Sequence, residues 1–569
     1  MTELLDADNV TTGRAAPPLA SKWPQLAFNQ AAFQNLSPHD QELFETYGQG
    51  PVRTLPFDQV HEAFEFWVKH QPDAVAVEWE GRSTTYCQLN RGANLLANRL
   101  LEEGVTPGDK VALFLRRSTP MVVGIMASLK VGAAYAPQHI GVAPLTQLEF
   151  VLDATEANVI LTMAEFADQL PERDGVTIVE VDTLLSEPAL QDELNGTDVT
   201  TLDLNPAVPG LVHGNTCFVL FTSGTTGNPN GVQVTHQNVC NILLTEPGNL
   251  GMRPGLKVSQ ILSIAFDMAA WETLGSMMNG ATLLVRGKSI QETVERADIV
   301  IATPSVLGSV DASRCPNVKV AAVAGEPCPR PLADTWSQFA TFYNSCGPTE
   351  TTIVNTAQNY TLADGGLSIG APTPNNTVYV LDENRQPLPI GDVGEMWAGG
   401  KCVTGGYLKN KKLTDERYVA DPFLGDGNMM FRTRDLGRWN ENGELEHYGR
   451  TDDQVKVRGF RVELDSVSAM LERTEDCTAA VTLKLDSRNL VAFVQPASVD
   501  ADAARREVLA ALPYYCEPAL VTPLEALPRT SRGKIDKRLL LAAAARAFAR
   551  GSDIVTEADF LASSEGISQ

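Results

Sequence analysis

Residues 218–231 read Phe-Val-Leu-Phe-Thr-Ser-Gly-Thr-Thr-Gly-Asn-Pro-Asn-Gly, an apolar strand that empties into a loop of hydroxyls and glycines, and the helix-like run His236 to Leu244 follows. No other stretch constrains the fold as strongly. Glycines let backbone N–H groups approach an anion, Ser and Thr hydroxyls add donors, and a following helix contributes its positive end. Thr222, Ser223, Gly224, Thr225, Thr226 and Gly227 are therefore candidate phosphate-binding residues. The loop lacks the G-x-x-x-x-G-K-[ST] spacing, which excludes that class of nucleotide site. A plain surface turn is the competing reading of the loop taken alone.

Short apolar runs such as Lys110 to Phe114, Val159 to Thr162 and Val318 to Val323 alternate with longer helix-like stretches, the pattern of parallel α/β layers. After Asn440-Glu-Asn-Gly443 the texture changes. An alternating strand is expected over Gln454 to Val462, helices near 465–473 and 502–511, strands near 479–485 and 490–495, and a last helix from Ile535 to about Phe548. The fold class is thus α/β, with a large domain of layered sheets and helices and a small α+β domain. The expected boundaries are a polar lead-in over 1–55, the large domain over 56–451, the small domain over 452–550 and a linker tail over 551–569.

Charge and cysteine usage narrow the function classes. A formal charge of −25 repels nucleic acid and anionic membrane surfaces, and no local basic patch overrides it. The nine Cys lie far apart without metal-ligand spacing, which fits a reduced cytoplasm rather than a disulfide scaffold. The N-terminus lacks an apolar stretch, and the longest apolar tract, Met121 to Pro137, is broken by Lys130, so neither a leader nor a membrane span is expected.

A second chemical signal follows the strand-like Phe339 to Tyr343: Asn344-Ser-Cys-Gly-Pro-Thr-Glu350 delivers a hydroxyl and a carboxylate at a strand end, where a carboxylate can hold Mg²⁺ against phosphate. With this segment the chain resembles the adenylate-forming superfamily of acyl-CoA synthetases, luciferases and the adenylation domains of nonribosomal peptide synthetases, over about residues 57–540. The motifs occur in family order: Thr85 to Leu89, Leu129 to Pro137, the Ser223 loop, Phe266-Asp267, Asn344 to Glu350, and Gly394-Glu395 to Leu408. Phe431 to Leu436, Gly449 to Asp452 running into Gln454 to Leu464, Leu512 to Pro518 and Gly533-Lys534-Ile-Asp536 complete the set.

The resemblance implies attack of a substrate carboxylate on the α-phosphorus of ATP, with pyrophosphate released and an acyl-adenylate formed. A carboxylate is already a nucleophile at neutral pH, so the protein has to position it and neutralise charge. By the same resemblance Lys534, which taken alone reads as a solvated lysine, is the catalytic residue. Asp435 would hold the ribose hydroxyls with Arg450 assisting, Glu350 the Mg²⁺ and Thr349 the phosphate. Asn344 would face the adenine amino group, Gly325-Glu326-Pro327 would line the base, Cys346 would stand where an aromatic usually stacks on it, and Asp452 would be the hinge. Two further departures are Asn230, where the phosphate loop normally carries Lys, and Arg434, which replaces a glycine beside Asp435. Arg434 restores positive charge only if it points inward, and a solvent-facing arginine is the plainer expectation.

Asp267 bears on the acid that is activated: in amino-acid-activating members a carboxylate at this position pairs with the substrate ammonium, whereas an isolated Asp after Phe reads as a helix cap. The rest of the pocket carries over as Met268, Trp271, Ile301, Ala322, Ala324, Ser345, Ile353 and Val354, a neutral and roomy wall. It suits a large, neutral or capped side chain, such as the acylated hydroxyornithines used by fungal siderophore synthetases. The implied partners are the amino acid, a carrier protein whose phosphopantetheine thiol accepts the acyl group, and the condensation domains of a larger synthetase. Neither a Gly-Gly-x-Ser motif after Lys534 nor an H-H-x-x-x-D-G motif before Phe57 is present, so the carrier is expected in trans. The competing readings are an aryl- or acyl-CoA ligase and a catalytically decayed structural domain of a synthetase.

Overall fold

The computed structural model describes residues 26–560 apart from 197–198, 207, 209–214, 223–228, 364–365, 426, 530–534, 553–554 and 557. Ser223, Gly224, Thr225, Thr226, Gly227 and Lys534 lie outside the described residues. Two mainly parallel sheets carry the large lobe. One has six strands in the order 177–180, 159–162, 110–115, 134–139, 216–222 and 230–235, with only the last pair antiparallel. The other has nine, with a parallel centre formed by 341–346, 320–323, 299–302, 257–260, 282–285 and 75–79 between antiparallel edges.

The helices Thr119–Lys130 and Asp267–Met278 are buried almost throughout, and their side chains join those of both sheets in one core. Apolar residues on every side of a helix are what burial between two layers requires. Ser118 caps the first of these helices by accepting the Met121 N–H. No helix among the described residues is long and apolar enough to cross a membrane.

A third, antiparallel sheet contains 376–381, 394–400, 429–439, 418–420 and 445–450. It corrects the expected lead-in. Phe33, Leu36 and Phe44 are buried against Tyr379, Leu381, Trp397, Phe423 and Met430, and the helix Pro38–Tyr47 is capped by Ser37. Three spaced apolar side chains cover the sheet while most of the residues between them are polar, which is why the segment resembles a linker.

The chain leaves this sheet at Arg450. Residues 454–457 and 460–463 form a hairpin rather than one continuous strand, because Arg458 at φ +54° and Gly459 at φ +83° make the left-handed pair that a tight two-residue turn demands. The sheet 479–484, 490–495 and 520–523 then separates two small cores. Leu490, Ala492 and Val494 face the helices Leu464–Leu471 and Ala501–Ala511, whereas Val491 and Phe493 face the helix Lys537–Ala549. The expected tail is likewise packed in its described part: Val555 is buried and Phe560 lies against Phe493.

Candidate active site

Between the lobes lies a cavity of about 840 Å³ bordered by both, and most of the predicted site residues open onto it. Asp267 opens the buried helix Asp267–Met278, so the backbone at its N-terminus places the carboxylate at the cavity wall. Oδ1 accepts the Met268 N–H at 2.7 Å and Oδ2 accepts the Thr349 hydroxyl at 2.8 Å. Burial raises the Asp267 carboxyl above its usual value, and the Thr349 hydrogen bond and the Lys456 charge only partly oppose it. Thr349, expected on phosphate, is thus held by the Asp267 carboxylate in this structure.

Asp435 sits on the long strand Met429–Trp439 and is 8% exposed. Its Oδ1 accepts Arg450 Nη1 at 2.6 Å and faces His447 Nε2 at 3.3 Å. Burial opposes the charge, but the His447 hydrogen bond and the Arg450 guanidinium outweigh it and keep the carboxyl low. Arg450 also grips Asp452, with Nε 2.7 Å from Oδ1 and Nη2 3.0 Å from Oδ2. Arg434 binds Glu416 at 2.8 Å and Asp452 at 3.5 Å. Its φ of +63° explains why glycine is the usual occupant there. Asn230 starts the strand Asn230–Thr235, and its side-chain oxygen accepts the Asn410 amide at 3.3 Å.

Asn344, Gly325, Glu326, Pro327 and Cys346 border the same cavity. The Asn344 amide donates to the Ser368 carbonyl at 2.5 Å, and burial pushes the Cys346 thiol up to about 11. Of the specificity residues, Met268, Ala324, Ser345 and Ile353 line the cavity. Trp271, Ile301, Ala322 and Val354 are buried in the core beside it, together with Met268, Ala324 and Ile353. The Trp271 indole is turned toward the Gly248 carbonyl at 2.6 Å, and Ile301 and Ala322 are paired on adjacent central strands. Ser345 Oγ and Glu326 Oε1 are buried without a hydrogen-bond partner among the described residues, as expected of groups reserved for a ligand.

The largest departure concerns Glu350. Its side chain is fully buried, and both carboxylate oxygens lie 3.0 Å from Arg461 Nη1, with the Tyr407 hydroxyl 2.7 Å from Oε1. Burial would raise this carboxyl, yet Arg461 and Arg417 outweigh it and hold it below its usual value. Among the described residues no group of three or more His, Cys, Asp or Glu is arranged to hold a metal. One carboxylate with substrate phosphates suffices for Mg²⁺, but a cation on Glu350 does not fit this lobe orientation, because the guanidinium occupies both oxygens. Arg461, Tyr407, His447 and Phe460 were not singled out from sequence. Arg461 and Phe460 sit inside a quoted motif, but nothing in the linear pattern says which of its basic residues points across the cleft.

The hairpin that carries Arg461 is wedged between the lobes. Phe460 stacks on Tyr515 with centroids 3.8 Å apart and meets Phe266 edge-on at 4.6 Å. Gly459 faces Thr303 so closely that a Cβ would stand 2.7 Å from its Cγ2. A second, narrower cavity on the far side of Phe266 and Asp267 is bordered by Gln138, His139, Phe460 and Tyr515.

Comparison with known proteins decides the family, because the AMP-binding enzyme family matches residues 64–408. The chain belongs to the AMP-binding enzymes. Among curated relatives, an adenylate-forming reductase of Coprinopsis cinerea is 46% identical over 510 residues, covering 89% of this chain and 48% of the relative. A linear gramicidin synthase of Brevibacillus parabrevis is 34% identical over 540 residues, covering 91% of this chain and 10% of that protein. The chain therefore spans about half the length of the reductase and a small part of the synthase. Among solved structures, an artificially fused adenylation–PCP di-domain from Klebsiella oxytoca superposes with a TM-score of 0.72 at 22% identity, covering 89% of this chain and 99% of that one, which supports the fold. The mixed α/β architecture of this AMP-binding enzyme matches that of the solved adenylation–PCP di-domain.

Proposed function

We propose that this enzyme activates the carboxylate of an α-amino acid with ATP and passes the acyl group to the phosphopantetheine thiol of a carrier protein. The observation that carries the reading is the Asp267 carboxylate at the cavity wall, held by the Met268 N–H and the Thr349 hydroxyl, in a cavity that the neutral Met268, Ala324, Ser345 and Ile353 also line. A substrate ammonium is the cation that pairs with it, since leaving either charge unpaired in such a setting costs several kcal/mol, about 2–5 by charge-pair truncations.

In the first step a substrate carboxylate oxygen bonds to the α-phosphorus of ATP and the bond to the pyrophosphate oxygen breaks, so no proton has to move. Asp435, oriented by Arg450 and His447, would accept the ribose hydroxyls, while Asn344 and Glu326 would face the base. Lys534 would reach the carboxylate and the α-phosphate oxygen. In the second step the thiol, losing its proton to solvent, bonds through sulfur to the acyl carbon, and the bond from that carbon to the phosphate oxygen breaks to release AMP. The narrow cavity beside Phe266 supports a separate approach for that thiol. The unpartnered Ser345 hydroxyl favours a large side chain carrying a hydrogen-bonding group over a purely aliphatic one.

A second reading rests on the 46% identity to the Coprinopsis reductase: the acid is activated in the same way, and the resulting thioester is reduced by a domain outside this chain. Carrier loading read by intact mass tests the shared part. With ATP, the amino acid and a phosphopantetheinylated carrier, the carrier should gain the aminoacyl mass, and a carrier loaded only by amine-free acids would refute the amino-acid reading. Adding NADPH and the flanking domains separates the two readings by whether an aldehyde or alcohol is released.

A further inference from the structure

We propose that Ser368, Gln358 and Glu444 set which purine the main cavity takes: they fix the polarity of the Asn344 amide, so that a base with a 6-amino group is bound and one with a 6-oxo group is refused. This role rests on the placement of the base beside Asn344 in the reading above.

Asn344 on the strand Thr341–Cys346 stands directly opposite Gln358 on the antiparallel strand Thr356–Tyr360, so both side chains point to one face. Asn344 and Ser368 border the main cavity, whereas Gln358 and Glu444 do not line it. A side-chain amide donates from one end and accepts at the other, and only its partners decide which end meets a ligand. Here a backbone carbonyl decides: that of Ser368 can only accept, and it takes Asn344 Nδ2 at 2.5 Å. Oδ1 accepts no hydrogen bond among the described residues, so Asn344 offers the cavity an acceptor. The 6-amino group of adenine donates to such an oxygen, whereas the 6-oxo group of hypoxanthine or guanine sets acceptor against acceptor.

Ser368 has each of its polar groups engaged. Its N–H donates to Gln358 Oε1 at 2.9 Å, and its hydroxyl donates to Glu444 Oε2 at 2.8 Å and accepts the Gly370 N–H at 3.0 Å. The peptide that carries its carbonyl is also held at the Ile369 N–H, which donates to the Leu445 carbonyl at 2.8 Å. Gln358 Nε2 donates to the same Glu444 oxygen at 2.9 Å and to the Gly366 carbonyl at 3.1 Å, so neither hydrogen is left for Asn344 Oδ1 across the strand pair. A carboxylate only accepts, and Glu444 thereby fixes the direction of this whole chain of bonds. Without it the Gln358 amide, 1% exposed and short of an acceptor, turns toward the opposite Asn344 oxygen and covers the acceptor that the base needs. Ser368, Gln358 and Glu444 are positioning residues that act through Asn344.

The test is calorimetric titration of the full chain with ATP and with ITP, whose bases differ only along the N1–C6 edge, in the absence of any acid substrate. The parent should bind ATP at least about 20-fold more tightly than ITP. Glu444→Ala should weaken ATP at least about fivefold and ITP less than about twofold, and Glu444→Gln, which keeps an acceptor oxygen, should stay within about twofold of the parent for both. Ser368→Ala, which removes the hydroxyl link, should follow Glu444→Ala, and the double variant should lose no more than either alone, as members of one chain of bonds do. Equal affinity of the parent for the two nucleotides overturns the proposal, as does a Glu444→Ala protein that keeps the parent's ratio or loses both nucleotides alike, the result of a merely structural role. If Glu444→Ala does not fold, Ser368→Ala decides by the same ratio. A parent that prefers ATP to ITP yet activates no amino acid refutes the substrate reading and leaves the purine selection standing, and a parent that binds neither nucleotide refutes the placement of the base and the proposal with it.

Discussion

Replacing Gly459 by leucine burdens one lobe orientation selectively. The residue has φ +83°, and a Cβ there would meet Thr303 at 2.7 Å from Cγ2 and 3.2 Å from Oγ1. The left-handed backbone costs a side chain about 1–2 kcal/mol, but the hairpin turn keeps that conformation in any lobe arrangement, so this part cancels between them. The Thr303 contact exists only where the hairpin is docked. Overpacking of this kind costs about 1–3 kcal/mol, which is about 5- to 150-fold in the ratio of docked to undocked orientation. If the docked orientation performs transfer and not adenylation, single-turnover loading of a carrier from preformed adenylate should slow by up to that factor, while ATP–pyrophosphate exchange should change about twofold or less. Equal losses in both assays would refute the separation of the two steps between orientations, and an unaffected loading rate would refute the assignment of the docked state to transfer.

Asp267→Ala removes the proposed ammonium partner and should lower kcat/KM for the amino acid by about 30- to 150-fold, corresponding to about 2–3 kcal/mol, while KM for ATP stays near the parent value; an unchanged substrate profile contradicts the role. Lys534→Ala should abolish most adenylate formation in pyrophosphate-release assays, and parent-like rates would refute its assignment. Stability should fall in mild acid, because burial holds His61 at about 3 and His236 at about 4, where His236 Nδ1 accepts the Val60 N–H. Both folded values lie below the unfolded one, so the unfolded chain takes up protons first: stability is full above pH 6.5 and is lost as pH falls toward 4, by about 2 kcal/mol for each histidine by pH 5. Urea unfolding at pH 7, 6 and 5 measures this, and a flat profile contradicts it.

Much of the architecture was legible because its signals are local. The run Lys110 to Phe114 and its counterparts are apolar on both faces, as central parallel strands must be, and the motifs sit at strand ends where the cavity forms. What escaped depends on distant partners. Phe33 and Phe44 disclose their burial only once Tyr379 and Phe423 supply the opposing surface. The Trp271 ring is fixed by the carbonyl of Gly248, 23 positions away. The Arg461–Glu350 pair joins residues 111 positions apart and exists only when the lobes meet in this way, so no periodicity or spacing encodes it.

ATP–pyrophosphate exchange over matched pairs, each amino acid beside the same acid without its amine, probes the central claim most directly. The account predicts exchange with a bulky, neutral amino acid and a loss of at least about 30-fold for its amine-free twin, the cost of leaving Asp267 unpaired. Exchange of equal strength with both members of the pair, or only with the amine-free one, would contradict it.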